Sequence, residues 1–102
     1  MENSRVESLF DGIRRIGFHP AKRDKILRER HIDLADMRFV LNGPYLVRQS
    51  NRDGEERFMV FGFLEEDEVV FICTIRDDLC HVISARRARR DERKKYHSHL
   101  SR

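Results

Sequence analysis

The sequence has 102 residues, of which 39% are hydrophobic and 38% charged, and its formal net charge is +3. This length predicts a single domain over residues 1–102 with a modest core, which excludes a large multidomain enzyme. Residues 1–83 carry 13 Lys/Arg and 16 Asp/Glu, a balance of −3, whereas residues 84–102 carry 8 and 2, a balance of +6. Positive charge concentrated in this way suits a polyanion or an acidic protein partner.

Apolar runs are too short for a membrane span, because the longest, Val69–Cys73, falls far below the ~20 residues required. The first 15 residues contain no apolar run typical of a signal peptide, so we expect a cytoplasmic protein without a membrane partner. Cys73 and Cys80 are then expected to be free, buried thiols, with a disulfide between them as the alternative. Neither cysteine has metal-ligand spacing to a histidine, and we expect neither a metal nor another cofactor.

The first half of the chain is predicted to be helical. Residues 1–12 form an N-terminal extension with a short helix, "VESLFDG", and "IRRIGF" predicts a short strand. Pro20 suits the first turn of the helix "AKRDKILRER". Asp33 is expected to cap a second helix, "LADMRFVLN", which Gly43 and Pro44 end.

After this point the hydrophobic period changes from 3.6 to 2. The segments "YLVRQ", "ERFMVFGFL", "EVVFICTIR" and "CHVIS" predict four strands separated by polar turns. A basic helix follows from about Ala85, with Ala88, Tyr96 and Leu100 on its inner side, and residues 98–102 form a loose tail. Two N-terminal helices, an antiparallel meander of four strands with a short extra N-terminal strand, and a C-terminal basic helix make an α+β domain.

Glu55 and Arg57 are the first candidates for chemistry. Two residues apart on a strand, they share one face. A carboxylate beside a guanidinium can serve as general base and phosphate clamp. From the spacing alone, a surface ion pair worth at most ~1 kcal/mol is the favoured interpretation of Glu55 and Arg57.

Basic residues on the predicted helices are candidates for phosphate contacts. Arg86 is expected at the first turn of the final helix, where it can face an anion, and Arg90 lies one turn further along. Lys22 and Arg30 lie a little over two turns apart on one helix, and each can equally be a phosphate contact or a simply exposed side chain. Tyr96 can stack on a base or donate its phenol proton, although its spacing favours a role in anchoring the core.

Three segments resemble the motifs of one protein family. The segment "FHPAKRDKILRERHIDLADM" is similar to the opening motif of the BrnT family of bacterial toxins, "GEERF" to its central Gly-Glu-x-Arg element, and "VISARRARRDERKKY" to its closing signature. The matches occur in the family's order and spacing over about residues 16–97. The chain differs at His19, where the family prefers Asp, and at His31, where it prefers Gly.

The resemblance implies a RelE-like fold and a type II toxin–antitoxin system. The toxin would be a metal-independent endoribonuclease that inhibits translation by cleaving RNA, with Glu55, Arg57 and Arg86 in the catalytic site and Lys22, Arg30, Arg90 and Tyr96 binding RNA. The expected partner is a BrnA-like antitoxin with a ribbon-helix-helix fold, in a two-plus-two heterotetramer that contacts operator DNA only through the antitoxin. The alternative is a non-catalytic basic adaptor that binds RNA or protein.

Overall fold

The computed structural model describes residues 4–100, which form five strands and four α-helices. In chain order the elements are α1 (Ser4–Asp11), β1 (Arg15–Phe18), α2 (Pro20–Arg30), a 3₁₀ turn (Leu34–Asp36), α3 (Met37–Asn42), β2 (Leu46–Gln49), β3 (Phe58–Leu64), β4 (Asp67–Arg76), β5 (Leu79–Arg87) and α4 (Arg90–Leu100). The predicted α+β class is confirmed. The short helix of the N-terminal extension is present as α1, in addition to the two helices of the fold prediction.

One sheet contains all five strands, in the order β1-β5-β4-β3-β2. Strands β2 to β5 form the predicted antiparallel meander. The short N-terminal strand is also present, and it pairs with β5 in a parallel orientation. Helices α2 and α3 carry the chain from β1 at one edge of the sheet to β2 at the other edge, where the meander begins.

The two faces of the sheet are covered to different extents. Helices α1, α2 and α3 pack on one face, and the main core there includes Ile26, Met37, Val60, Phe71 and Val82. We call the other face the open face. Of the helices within residues 4–100, only α4 lies on it, and a second small cluster forms there from Phe61, Val70, Ala88 and Tyr96.

Local capping explains how α2 ends and the chain turns. His31 ends the helix in the left-handed conformation, with φ of 59°, where Gly is preferred because it has no Cβ. Asp33 then accepts a hydrogen bond from Ala35 N at 3.0 Å, so the predicted cap is confirmed. Arg23 binds both oxygens of Asp33 at 2.7 and 2.8 Å, and this hydrogen bonding holds the pKa of the Asp33 carboxyl below its usual range.

The start of the last helix was predicted wrongly. Strand β5 continues to Arg87, because its main chain pairs with β4 as far as Val69, and α4 begins only at Arg90. Arg86 therefore lies on a strand rather than in the first turn of a helix. Helix α4 extends to Leu100, so three residues of the predicted loose tail are helical, while residues 101–102 lie outside the described range.

The cysteine prediction is confirmed, since Cys73 and Cys80 are free and buried. Hydrogen bonding with Cys80, followed by burial, raises the pKa of the Cys73 thiol above its ordinary value. Within residues 4–100, none of the helices combines the length and the apolar character needed to cross a membrane.

Candidate functional site

A β-bulge decides which way Arg86 faces. Val82 pairs with Cys73 and Ser84 pairs with Ile72, so Ile83 is an extra residue in β5. An unbulged strand would place residues 82 and 86 on the same face, toward the core. The extra residue reverses the alternation, and Arg86 pairs with Val70 on the open face.

Glu92 of α4 holds Arg86 with two hydrogen bonds. The Nη1 and Nη2 atoms of Arg86 donate to the two carboxylate oxygens at 2.7 and 2.8 Å, and Glu92 also accepts from Arg89 N at 2.8 Å. The Glu92 side chain is 13% exposed and that of Arg86 27%. Hydrogen bonding to Arg86 is the main reason why the pKa of Glu92 falls to about 2.

Glu55 and Arg57 lie in the connection that leads into β3. Asp53 and Gly54 have φ of 51° and 79°, as a tight hairpin turn requires, and Arg52 and Glu55 exchange two main-chain hydrogen bonds. Arg57 Nε donates to Glu55 Oε1 at 2.6 Å, with side chains 27% and 53% exposed. The contact predicted from the spacing is present, although neither residue lies within a strand.

The two arginine–glutamate pairs share the open face but stand apart on it. Alternation along β3 places Arg57 on the same side as Met59 and Phe61, and Phe61 is linked through Val70 to Arg86 by strand pairing. Four residues along β3 and two strand spacings separate Arg57 from Arg86, about 16 Å between their Cα atoms. They therefore occupy opposite ends of one surface.

A groove of about 440 Å³ lies where α2 begins beside β5. His19, Lys22 and Lys25 line it from the helix side, and His81 and Ile83 from the strand side. Within the described chain, His19 makes no side-chain hydrogen bond to the start of α2, a bond that an Asp at a helix N-terminus can make. Lys22, predicted to contact RNA, is thus part of a basic groove next to the open face.

The other predicted RNA-binding residues have different surroundings. Arg30 Nη1 donates to Ala85 O at 2.9 Å, which ties α2 to β5. Arg90 is exposed and forms no ion pair with any of residues 4–100. Tyr96 is buried and its hydroxyl donates to Pro44 O, so its ring anchors α4 on the sheet.

Tertiary structure creates a carboxylate–histidine contact that spacing did not indicate. His97 Nε2 contacts one oxygen of Glu68, and Arg93 Nε lies 3.4 Å from the other. The Glu68 side chain is 15% exposed, whereas that of His97 is 58% exposed. Residues 68 and 97 are 29 positions apart, so no local pattern could have paired them. Among residues 4–100, no group of three or more His, Cys, Asp or Glu side chains is placed to hold a metal ion.

Comparison with solved structures identifies the class of fold. The chain superimposes on the 1.1 Å crystal structure of the Brucella abortus ribonuclease toxin BrnT with a TM-score of 0.57 and 21% identity, over 74% of this chain and 97% of that chain. At this identity the match establishes a common fold. No curated protein sequence matches significantly.

The family follows from the sequence itself. A family model described as "Ribonuclease toxin, BrnT, of type II toxin-antitoxin system" matches residues 18–92. The chain belongs to the BrnT family of ribonuclease toxins. The match includes both arginine–glutamate pairs and Lys22, whereas α1, the first three residues of β1 and most of α4 lie outside it.

Proposed function

We propose that this protein is the toxin of a type II toxin–antitoxin system, located in the cytoplasm, and that it cleaves RNA on the open face of its sheet without a metal ion. The observation that carries the proposal is the position of the Glu55–Arg57 pair, exposed at one end of a face that also presents Arg86. These are the residue types that phosphodiester cleavage requires, since the reaction needs a base and cationic stabilisation of the phosphate.

In the proposed reaction, Glu55 accepts the proton of a ribose 2′-hydroxyl. The 2′-oxygen attacks the adjacent phosphorus and the bond to the 5′-oxygen breaks. A water molecule at this exposed site gives the leaving 5′-oxygen its proton, and the products carry a 2′,3′-cyclic phosphate and a 5′-hydroxyl. Arg57, next to Glu55, stabilises the added negative charge on the phosphate oxygens. The 2.6 Å contact between the two residues keeps base and cation within reach of one nucleotide.

Arg86 is proposed to fix a second part of the same RNA strand. Its guanidinium is held in one orientation by Glu92, and a preorganised cation binds a phosphate with less loss of conformational entropy than a mobile one. Because Arg57 and Arg86 are about 16 Å apart, we assign them different phosphates. Lys22 in the basic groove and Arg90 on α4 extend this positive surface on either side.

The antitoxin is proposed to compete with RNA for this surface. A ribbon-helix-helix dimer that covers α4 and the open face would neutralise two toxin molecules, which gives the two-plus-two assembly. Native mass spectrometry of the complex purified after co-expression with the adjacent gene checks the stoichiometry. A one-to-one complex would contradict the assembly and leave the RNA chemistry untouched.

Incubation of the purified protein with an RNA oligonucleotide in EDTA tests the reaction itself. We expect cleavage at defined positions, and no cleavage at a position where a single 2′-deoxynucleotide replaces the ribonucleotide, because the attacking oxygen is then missing. Loss of activity in EDTA would contradict metal independence. A protein that shifts the mobility of RNA but never cuts it would instead support the adaptor function.

A further inference from the structure

A second groove lies on the side of the sheet opposite α4, between α1, β1 and α3. Its volume is about 830 Å³, and its lining combines charged side chains with an apolar floor. The side chains that form the floor are mostly half-buried, so apolar surface reaches solvent there: Phe10, Ile13, Ile16, Phe18, Leu41 and Tyr45. We call this cavity the N-terminal groove.

Two arginines without an ion pair among residues 4–100 lie at the rim of this groove, and one of them, Arg14, also interacts electrostatically with Asp78. Arg14 and Arg38 are exposed, and neither forms an ion pair with another described residue. Arg15 is neutralised by Asp78 at 2.8 Å, and Asp11 is the acidic residue among those that line the groove. An occupant therefore meets two available guanidinium groups against one carboxylate.

An exposed aromatic ring extends the apolar surface beyond the groove. Phe39 is 49% exposed, and the guanidinium of Arg38 stacks over its ring, 4.7 Å from the centroid. An exposed ring beside an apolar floor and a cationic rim is typical of a surface that contacts a protein. Among the described residues, RNA would find two arginines without an ion pair beside the Asp11 carboxylate, which is a poor match for a phosphate backbone.

We propose that the N-terminal groove binds an acidic amphipathic helix of a protein partner. A helix about 10 Å wide occupies about 400 Å³ per turn, so the groove accommodates about two turns, with apolar side chains on the floor and carboxylates against Arg14 and Arg38. The groove lies across the sheet from the open face. Its occupation therefore leaves the proposed RNA surface accessible and is distinct from neutralisation.

A second copy of this chain does not supply such a helix. Helices α2 and α4 are rich in Lys and Arg, and the apolar residues of α1, including Val6, Leu9 and Phe10, already pack in its own core. Much of the groove is built by residues 10–16, which precede the segment that matches the BrnT family. Membership of the BrnT family therefore does not by itself imply this partner.

Fluorescence anisotropy with the full chain tests the proposal. The probe is a fluorescein-labelled 15-residue peptide with Leu and Phe at helical spacing and Glu at the remaining positions; a matched peptide has Lys in place of Glu. We expect the acidic peptide to bind at least 10-fold more tightly than the basic one, because only it complements the rim. Equal binding of the two peptides, or no binding of either, would overturn the proposal.

The site of binding is tested with Arg14→Glu/Arg38→Glu. This variant is expected to weaken binding of the acidic peptide at least 10-fold and to cleave RNA at the parent rate. Arg28→Glu/Lys95→Glu, with the same change in net charge on α2 and α4, should bind the peptide within twofold of the parent. Phe39→Ala keeps the test decisive should the double variant not fold, since it leaves the charges in place and should weaken binding severalfold. If neither Arg14→Glu/Arg38→Glu nor Phe39→Ala weakens binding of the acidic peptide, the peptide does not bind in the N-terminal groove.

Discussion

The two arginine–glutamate pairs of the open face differ in how firmly they are held. Arg57 is joined to Glu55 by one hydrogen bond, and more than half of the Glu55 side chain is exposed. Arg86 is joined to Glu92 by two, and both side chains are largely covered. An exposed carboxylate with one bond can exchange its partner for a substrate, whereas a bidentate pair fixes its arginine. We therefore assign chemistry to the first pair and positioning of the RNA strand to the second.

Among the arginine substitutions, the largest effect is expected at Arg57. Arg57→Ala removes the cation next to the reacting phosphate, and loss of one such contact typically slows catalysis ~100-fold or more. Single-turnover cleavage rates at saturating protein measure it. Arg52→Ala removes the same charge from the same hairpin, outside the pair, and should cleave within a few-fold of the parent. Equal cleavage rates for Arg57→Ala and Arg52→Ala would show that Arg57 has no special part in the chemistry. The Glu55–Arg57 pair could then no longer be assigned a different role from the Arg86–Glu92 pair.

Arg86→Ala is expected to lower both stability and cleavage. The substitution leaves the Glu92 carboxylate without its main partner, which costs about 1–3 kcal/mol of unfolding free energy, and a lost phosphate contact of similar size slows cleavage by roughly 10- to 100-fold. Arg86→Lys separates the two contributions, because it keeps the charge but not the bidentate geometry. A lysine variant with the parent rate would show that charge, rather than orientation, is what Arg86 supplies.

Glu92→Gln tests the Arg86–Glu92 pair by changing its acidic member, and the pH dependence of stability provides the readout. The folded-state pKa of Glu92, about 2, is below its ordinary value of 4.5, so the pair contributes stability above about pH 4.5 and loses it as the pH falls toward 2. The variant should be about 1–2 kcal/mol less stable than the parent at pH 7. Urea denaturation at a series of pH values should show the difference shrinking toward pH 2. A constant difference would mean that the pair does not cause it.

The sequence predicted one of the two arginine–glutamate contacts of this site but not the other. The Glu55–Arg57 contact is local, so a spacing of two residues predicted it. The Arg86–Glu92 contact depends on where β5 ends, and the arginine-rich segment after Ser84 favours a helix when its pairing with β4 is unknown. The bulge at Ile83 and the contact between Glu68 and His97 likewise depend on distant segments.

The smallest effect is expected at Arg90, which is exposed on α4. Arg90→Ala should weaken RNA binding slightly and reduce the slope of log affinity against log salt by about 1, since one fewer counterion is released. Filter binding between low and moderate salt measures it. The cleavage rate at saturating protein should stay at the parent value. A changed cleavage rate for Arg90→Ala would mean that α4 takes part in the chemical step. Chemistry could then no longer be assigned to the Glu55–Arg57 pair alone.

The assignment of the base is tested most directly by a matched pair of substitutions. Glu55 and Glu56 are adjacent, but Glu56 contacts Arg5 and accepts a hydrogen bond from Gln49 on the other side of the sheet. Glu55→Gln preserves shape and removes the base, so single-turnover cleavage in EDTA should fall by roughly 100- to 10,000-fold with RNA binding retained. Glu56→Gln should cleave at the parent rate. Cleavage by Glu55→Gln at the parent rate would contradict the account and place the base elsewhere.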